Sequence, residues 1–460
     1  DDAEVQYQLG VYLGQNGQFD QAVTAFTRAT ALKPDHADAQ NSLGIALIET
    51  GRPAEAVAAC QRAVARCPTA AKAHCNLAAA LAKDNQLDAA LDAARKAAEL
   101  EPNFVGAWVN VGLCFSYLGQ LDQALAAYRR ALAIESFPLA HWDLACALLA
   151  LGDFQEGFRE YEWRVAAKQI PQRQFSQPRW QGGPIPAGRS RPPRIFITQE
   201  QGLGDAIQFA RFIPQVAQLG ANVIVECELA LARLFRTIPG VQAVASPGQP
   251  MPDFDSHCPL PSLPLALGTS LQNLPAKVPY LRVEPALIAD WQRRLEDAMG
   301  GSAIAKAGRK IGLVWAGNAK PDPARTAGLA AFAPLAGVRG ASFISLQLGR
   351  GSEEASDPPA GMRLIDLTNQ IDDLADTAAL IAHLDLVITI DSAVAHLAGA
   401  LGKPVWVFLP FCPDWRWMRD RDDSPWYPTA RLFRQTKPGD WRDPVARAAA
   451  ALAKQKSGLA

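Results

Sequence analysis

The chain has 460 residues, 49% of them hydrophobic, more than one ordinary core organises, and this points to two or three domains. With 45 basic and 46 acidic residues, its formal charge of −1 gives no global electrostatic reason to expect nucleic acid or an anionic membrane as partner. The eight cysteines are scattered without a C-x-x-C pair or a His at zinc-ligand spacing and read as free thiols; no apolar run reaches the length of a membrane span. The opening "DDAEVQ" carries no signal-peptide pattern, so a cytoplasmic location is expected.

The first third repeats itself. Gly or Asn recurs at Gly17, Gly51, Asn85, Gly119 and Gly152, at spacings of 34, 34, 34 and 33, the period of the tetratricopeptide repeat, one helix-turn-helix per unit. Leu9-Gly10, Leu43-Gly44, Leu77-Ala78, Val111-Gly112 and Leu144-Ala145 mark where the two helices of each unit cross, and Pro34, Pro68 and Pro102 close three units. About five units over residues 1–170 are expected to stack into a right-handed α-solenoid. Gln8, Ser42, Asn76, Asn110 and Asp143 occupy equivalent positions on the first helices. Asn76, Asn110 and Asp143 in particular read either as groups that bond an extended peptide in the groove or as ordinary solvated polar residues.

Residues 171–193 form a Pro/Gly/Arg-rich linker. Beyond it, short apolar runs alternate with helical ones, as in βαβ units. "RIFIT" (194–198), "NVIVEC" (222–227) and "VQAVA" (241–245) predict strands of a lobe over 194–285, with helices at 205–218 and 229–236. A connector at 286–309, helical over 286–299, precedes a second lobe over 310–460. Its predicted strands are 310–317, 342–347, 384–390 and 404–409, with helices near 375–383, 392–401 and 442–454. Two Rossmann-like lobes predict a cleft between the carboxyl ends of two parallel sheets.

Four segments could carry chemistry. "EQGLGDAIQF" (200–209) lacks both the third glycine of a dinucleotide fingerprint and the Lys-Ser/Thr of a P-loop. Gly202 and Gly204 read as a tight strand-to-helix turn, and Asp205 either as a helix cap or as a proton acceptor at the cleft. In "LDLVITIDSAVAHLAGALGKPVW" (384–406) a strand delivers Asp391 and Ser392 to a helix start with His396 one turn on, a pattern suited to a diphosphate or, alternatively, to a cap and a core histidine. "WAGNAKPDPARTAGL" (315–329) offers Asn318, Lys320 and Arg325 either to phosphates or to solvent. Trp406, Trp415, Trp417 and Trp426, with Arg416, Arg419 and Arg421, either stack on a base or sugar or seal the joint between lobes. The D-x-D pairs Asp253/Asp255 and Asp420/Asp422 have no further ligand cluster, so no metal ion is expected.

Taken together, "GDFQEGFREYEWR" (152–164), "PRW" (178–180), "EQGLGDAIQFARFIP" (200–214), "GLVWAGN" (312–318), "DTAALIAHLDLVITIDSAVAHLAGALGKPVW" (376–406) and "DSPWYPTARLFRQ" (423–435) resemble bacterial repeat-containing glycosyltransferases whose catalytic part is similar to the heptosyltransferases. The resemblance implies a GT-B fold and metal-independent, inverting transfer from a nucleotide-sugar. Asp205 would be the base; Asn318, Arg325, Asp391, Ser392 and His396 would bind the donor. Some relatives glycosylate flagellin or surface adhesins, the repeats holding the protein acceptor. A lipid or saccharide acceptor and a catalytically weak adaptor are the alternatives. "PDPARTAGL" departs from the basic loop of the family, keeping Arg325 but losing one basic partner. ADP-heptose and a CMP-linked acidic sugar are the donors the resemblance suggests.

Overall fold

A computed structural model describes residues 2–171, 173–184, 191–300, 308–318 and 323–454. The chain divides into two compact units: residues 1–151 with 160–169, and residues 152–159 with 170–460.

The first unit is helical. Its helices pair as Ala3–Gln15 with Phe19–Leu32, Ala37–Glu49 with Pro53–Arg66, Ala71–Lys83 with Leu87–Leu100, and Val105–Tyr117 with Leu121–Ile134, followed by Pro138–Leu151. The small residues sit at the crossings because nothing larger fits. A Cβ on Gly10 would lie 2.5 Å from the Phe26 ring, and Gly44 and Gly112 are equally tight against Cys60 and Tyr128. Between the paired helices Gly17 has φ +72° and Asn85 φ +60°, so the recurring Gly/Asn marks a left-handed turn, which Asn tolerates better than most residues.

The second unit holds two parallel sheets. In the first, β1 (Arg194–Thr198), β2 (Asn222–Glu226), β3 (Val241–Ala245) and β4 (Ser256–Pro259) lie in the order β3-β2-β1-β4. The second comprises β5 (Arg309–Val314), β6 (Ala341–Ser345), β7 (Leu364–Ile365), β8 (Leu386–Ile390), β9 (Val405–Leu409) and β10 (Ala430–Arg434), in the order β10-β9-β8-β5-β6-β7. Read from β7, this is the 3-2-1-4-5-6 order of the Rossmann fold, which reverses direction between β5 and β8. Ligands of such sheets bind outside the carboxyl ends of the strands at that reversal, and there Asn318 follows β5 and Asp391 follows β8. Both central strands are predominantly apolar, as strands buried on two faces are: all five residues of β8, Thr389 included, and the last four of β5 are buried.

The single helix expected over 205–218 is three pieces, Leu203–Phe209, a 3-10 turn Ala210–Phe212, and Ile213–Gln218. Pro214 is the second residue of the last piece, within its first turn, where a residue without an N–H is tolerated. Strands β4, β7 and β10 were not predicted. "SHCP" and the two-residue β7 are too short to show a period, and "ARLFR" alternates with arginines. Residues 152–159, read as part of the last repeat, group with the second unit, where the Phe154 ring stacks on Trp426 at 5.3 Å and Phe158 meets Trp415 edge-on at 5.9 Å.

Candidate functional site

The first lobe contributes the turn after β1. Gly202 is the N-cap of the Leu203–Phe209 helix and Asp205 its third residue; Asp205 Oδ2 accepts from the Gly202 N–H at 3.0 Å, one half of a capping box. Asp205 thus serves the helix start from its third residue and is not the N-cap, and its other oxygen, Oδ1, is ion-paired with Arg416 Nη2 of the second lobe. Gly202 has φ −66° and ψ 173°, which any residue adopts, and Gly204 is not among the positive-φ glycines. The tight turn does not account for them. Gly204 is small because the second lobe lies against it: a Cβ there would meet His396 Cδ2 at 2.9 Å and Ala393 Cα at 3.5 Å.

From the second lobe come the turns after β5, β8 and β9. Ser392 caps the Ala393–Ala400 helix by position, while its hydroxyl pairs with Thr389 Oγ1 at 2.9 Å. Asp391 is buried, and Arg325 Nη1 stands 3.8 Å from its Oδ2. Asn318 is exposed at the end of the β5 turn, which Gln347 pins by accepting from the Trp315 and Ala316 N–H groups at 3.0 and 2.9 Å. Lys320 lies outside the described residues. His396 is buried, hydrogen-bonded through Nδ1 to the Tyr427 hydroxyl at 2.9 Å and stacked on Trp417 at 5.3 Å. Asp205, Arg416, Asp391, Arg325 and His396 thus form one connected cluster at the meeting of the two sheets' carboxyl ends.

Burial dominates the electrostatics of this cluster. It pushes the Asp205 carboxyl up, against the pull of the Arg416 charge and with the push of Asp414. The Asp391 carboxyl is raised by burial and by the nearby Asp414 charge, with Arg325 opposing. For Asp414, burial is outweighed by the Arg416 guanidinium and N–H, which hold it below the usual carboxylate range. Burial, reinforced by Arg416, brings the His396 imidazole down to about 3, so it is neutral at physiological pH and acts as a hydrogen-bonding group, not a cation.

Arg416 and Asp414 were not singled out as a pair by the sequence, although both stand in "CPDWRW" (412–417). Trp415, Trp417 and Trp426 are buried, and Trp415 meets Phe209 of the first lobe at 6.4 Å, a contact of the kind the sealing reading expects. Arg211 completes that seal: its Nη1 donates to the Trp426 carbonyl at 2.6 Å and its Nη2 to the Tyr280 hydroxyl at 3.2 Å. Of the D-x-D pairs, Asp253 and Asp255 are ion-paired with Arg194 and Arg191. Among the described residues no group of three or more His, Cys, Asp or Glu is placed to hold a metal ion.

In the repeats, Asn76 Nδ2 donates to Asn41 Oδ1 at 2.9 Å and Asn110 Nδ2 to the Cys75 carbonyl at 2.8 Å, each reaching 35 residues back to the preceding repeat. The polar line thus ties neighbouring repeats together at two of its positions. Asp143 is half-buried, and desolvation raises its carboxyl to about 7.

This fold and site define a repeat protein joined to a two-lobed parallel α/β unit. Residues 7–71, 71–104 and 105–137 match tetratricopeptide-repeat family models, and residues 351–407, which include β8, Asp391, Ser392 and His396, match glycosyltransferase family 9 (heptosyltransferase). The chain is 30% identical over 348 residues to Protein FlbA of Caulobacter vibrioides, a match covering 69% of this chain and 55% of that protein. It therefore spans about half the length of the curated relative it matches. Among solved structures, a thermophilic tetratricopeptide protein of Thermus thermophilus, TTC0263, is 25% identical, with 36% of this chain and 92% of that one covered and a TM-score of 0.34. Pseudomonas aeruginosa pilF is 20% identical over 36% of this chain and 76% of its own, with a TM-score of 0.32. The chain thus combines tetratricopeptide repeats with a heptosyltransferase-like region.

Proposed function

We infer that this chain is a glycosyltransferase of the GT-B type that moves a sugar from a nucleotide-sugar to a protein acceptor engaged by the repeats, with inversion and without a metal ion. Flagellin or another surface protein is the acceptor that the family resemblance suggests. The observation that carries the reading is the approach of the Gly204–Asp205 turn of the first lobe to the Asp391–His396 helix start of the second, the latter within the family 9 match. As the donor bond breaks, negative charge grows on the leaving diphosphate; the helix N–H groups beyond Ser392 and the Arg325 guanidinium are the groups to stabilise it. The sugar carbon becomes electron-poor and the attacking hydroxyl acidifies as its bond to carbon forms. Asp205 takes that proton, a contribution on the order of 10²–10⁴-fold in rate. Burial raises the Asp205 carboxyl, which makes its ionised form the better proton acceptor.

The test is a thermal-shift screen with ADP, UDP, GDP and CMP, followed by sugar release from the nucleotide-sugar of the nucleotide that binds. Asp205→Asn should keep the nucleotide-induced shift and lose sugar release by at least about 100-fold, within the range of general-base effects. Full turnover in that variant would sink the assignment of Asp205, and no shift with any nucleotide would favour the adaptor.

A further inference from the structure

Arg416 lies in the 3-10 turn Trp415–Trp417 after β9, and its place is fixed from several sides. Asp414 Oδ1 accepts from its Nη1 at 2.8 Å and from its backbone N–H at 3.0 Å. Its guanidinium lies over the Trp415 ring at 4.4 Å and approaches Phe209 at 5.8 Å. From this clamp Nη2 reaches the first lobe and pairs with Asp205 Oδ1, while Asp205 Oδ2 is held by the Gly202 N–H. One oxygen of the carboxylate is therefore oriented by its own lobe and the other by the opposite lobe.

We propose that Arg416 is a positioning residue for Asp205: the second lobe, through this guanidinium, sets the orientation of the first lobe's proton acceptor and supplies its counter-charge. The functional side of this rests on the reading of Asp205 as the base; the effect on the carboxyl's titration does not.

The physical case is a balance. Desolvation favours the neutral acid, and Asp414 adds a like charge; Arg416 opposes both, helped by the Gly202 N–H and Arg325. Among the described residues, His396 on the Ala393–Ala400 helix packs against Gly204 and is neutral, and Arg211 on the adjoining Ala210–Phe212 turn donates to the Gln208 and Trp426 carbonyls. The Leu260–Ser262 turn, which also packs on the Leu203–Phe209 helix, carries no ionisable side chain. Without Arg416 the two largest remaining influences both raise the carboxyl. The Asp414 clamp also explains why Arg suits the position better than Lys: its fork serves two carboxylates at once from a fixed plane.

The experiment needs no substrate. In the full chain with 13C-labelled aspartate carboxyl carbons, the Asp205 signal is assigned by its loss in Asp205→Asn and titrated from about pH 3 to 9 in wild type, Arg416→Gln, Arg416→Met and Arg416→Lys. The midpoint should rise by about 1–3 pH units in the Gln and Met variants, the usual size of an Arg–carboxylate effect, and return toward wild type in Lys. Met keeps the aliphatic length against Trp415 and decides the matter if Gln does not fold. A midpoint unchanged in either folded neutral variant overturns the proposal, whereas full activity in Asp205→Asn overturns only the role of the base.

Discussion

Gly204 of the first lobe lies directly against His396 of the second, with room for a hydrogen but not for a methyl: a Cβ would come within 2.9 Å of the imidazole Cδ2. That ring cannot easily yield, being buried and tied to Tyr427. Gly204→Ala should therefore cost about 1–3 kcal/mol, as other overpacked sites do. Gly202→Ala, whose Cβ would have Asp205 Oδ2 at 3.5 Å as its neighbour within 4 Å, should cost about 1 kcal/mol or less, chiefly through the poorer N-cap. Urea unfolding of both variants measures the contrast, and equal costs would refute the contact as the reason for Gly204.

The neutral His396 predicts an acid limb of stability. Burial first, then Arg416, Arg211 and Arg325, bring its folded-state value down to about 3, below the roughly 6.5 of an unfolded histidine. A depressed value means that the contribution is fully present above about pH 6.5 and lost as pH falls toward 3. Wild type should lose melting temperature across that window more steeply than His396→Gln, which cannot take up the proton. Parallel curves for the two proteins would show that the histidine does not titrate as its surroundings imply.

What was legible in the sequence follows from how local the cause is. "RIFIT" and "LVITI" show their strands because burial is written into consecutive residues, and the 34-residue period shows the repeats because each unit must cross its helices at a small residue. Asp205, Asp391 and His396 were visible as residues at strand ends. Their partners were not: Asp205 meets Arg416 across 211 positions of sequence, and nothing in "CPDWRW" says which carboxylate its arginine will face. The same holds for Gly204, whose glycine is required by a neighbour in the other lobe and not by its own backbone.

The polar line of the repeats makes a separate prediction. Asn110→Ala removes the donor to the Cys75 carbonyl, and Asn76→Ala the donor to Asn41 Oδ1, so each should loosen one inter-repeat joint by about 1 kcal/mol. Thermal or urea unfolding followed by far-ultraviolet circular dichroism reports the loss, because the first unit is helical throughout its paired segments. Nucleotide-induced shifts should be unchanged in both variants. If the alanines leave stability untouched, the two amides do not tie the repeats together as the distances indicate.

Arg233 on the Leu229–Phe235 helix of the first lobe reaches the start of the Leu374–Ala382 helix of the second: its Nε and Nη2 pair with Asp373 at 2.6 and 2.7 Å, and Nη2 with Asp376 at 2.7 Å. The two ends of this bridge should not cost the same. The Arg233 side chain is 40% exposed, so Arg233→Ala removes a solvent-screened pair worth about 1 kcal/mol or less. Asp376 is 6% exposed and also accepts from the buried Trp291 Nε1 at 3.0 Å. Asp376→Ala strands that indole N–H, removes one half of the capping box and leaves Arg233 with Asp373 alone, a loss of about 2–4 kcal/mol. The carboxyl of Asp376 is held below its ordinary value because the Trp291 N–H, backbone N–H groups and Arg233 together outweigh burial. Its contribution is thus present above about pH 3.9 and disappears as pH falls through the folded-state value. Urea titrations near neutral pH and at about pH 3 give the check: the gap between wild type and Asp376→Ala should narrow in acid, and a gap that stays constant would mean that the ionised carboxylate is not what joins the two helices.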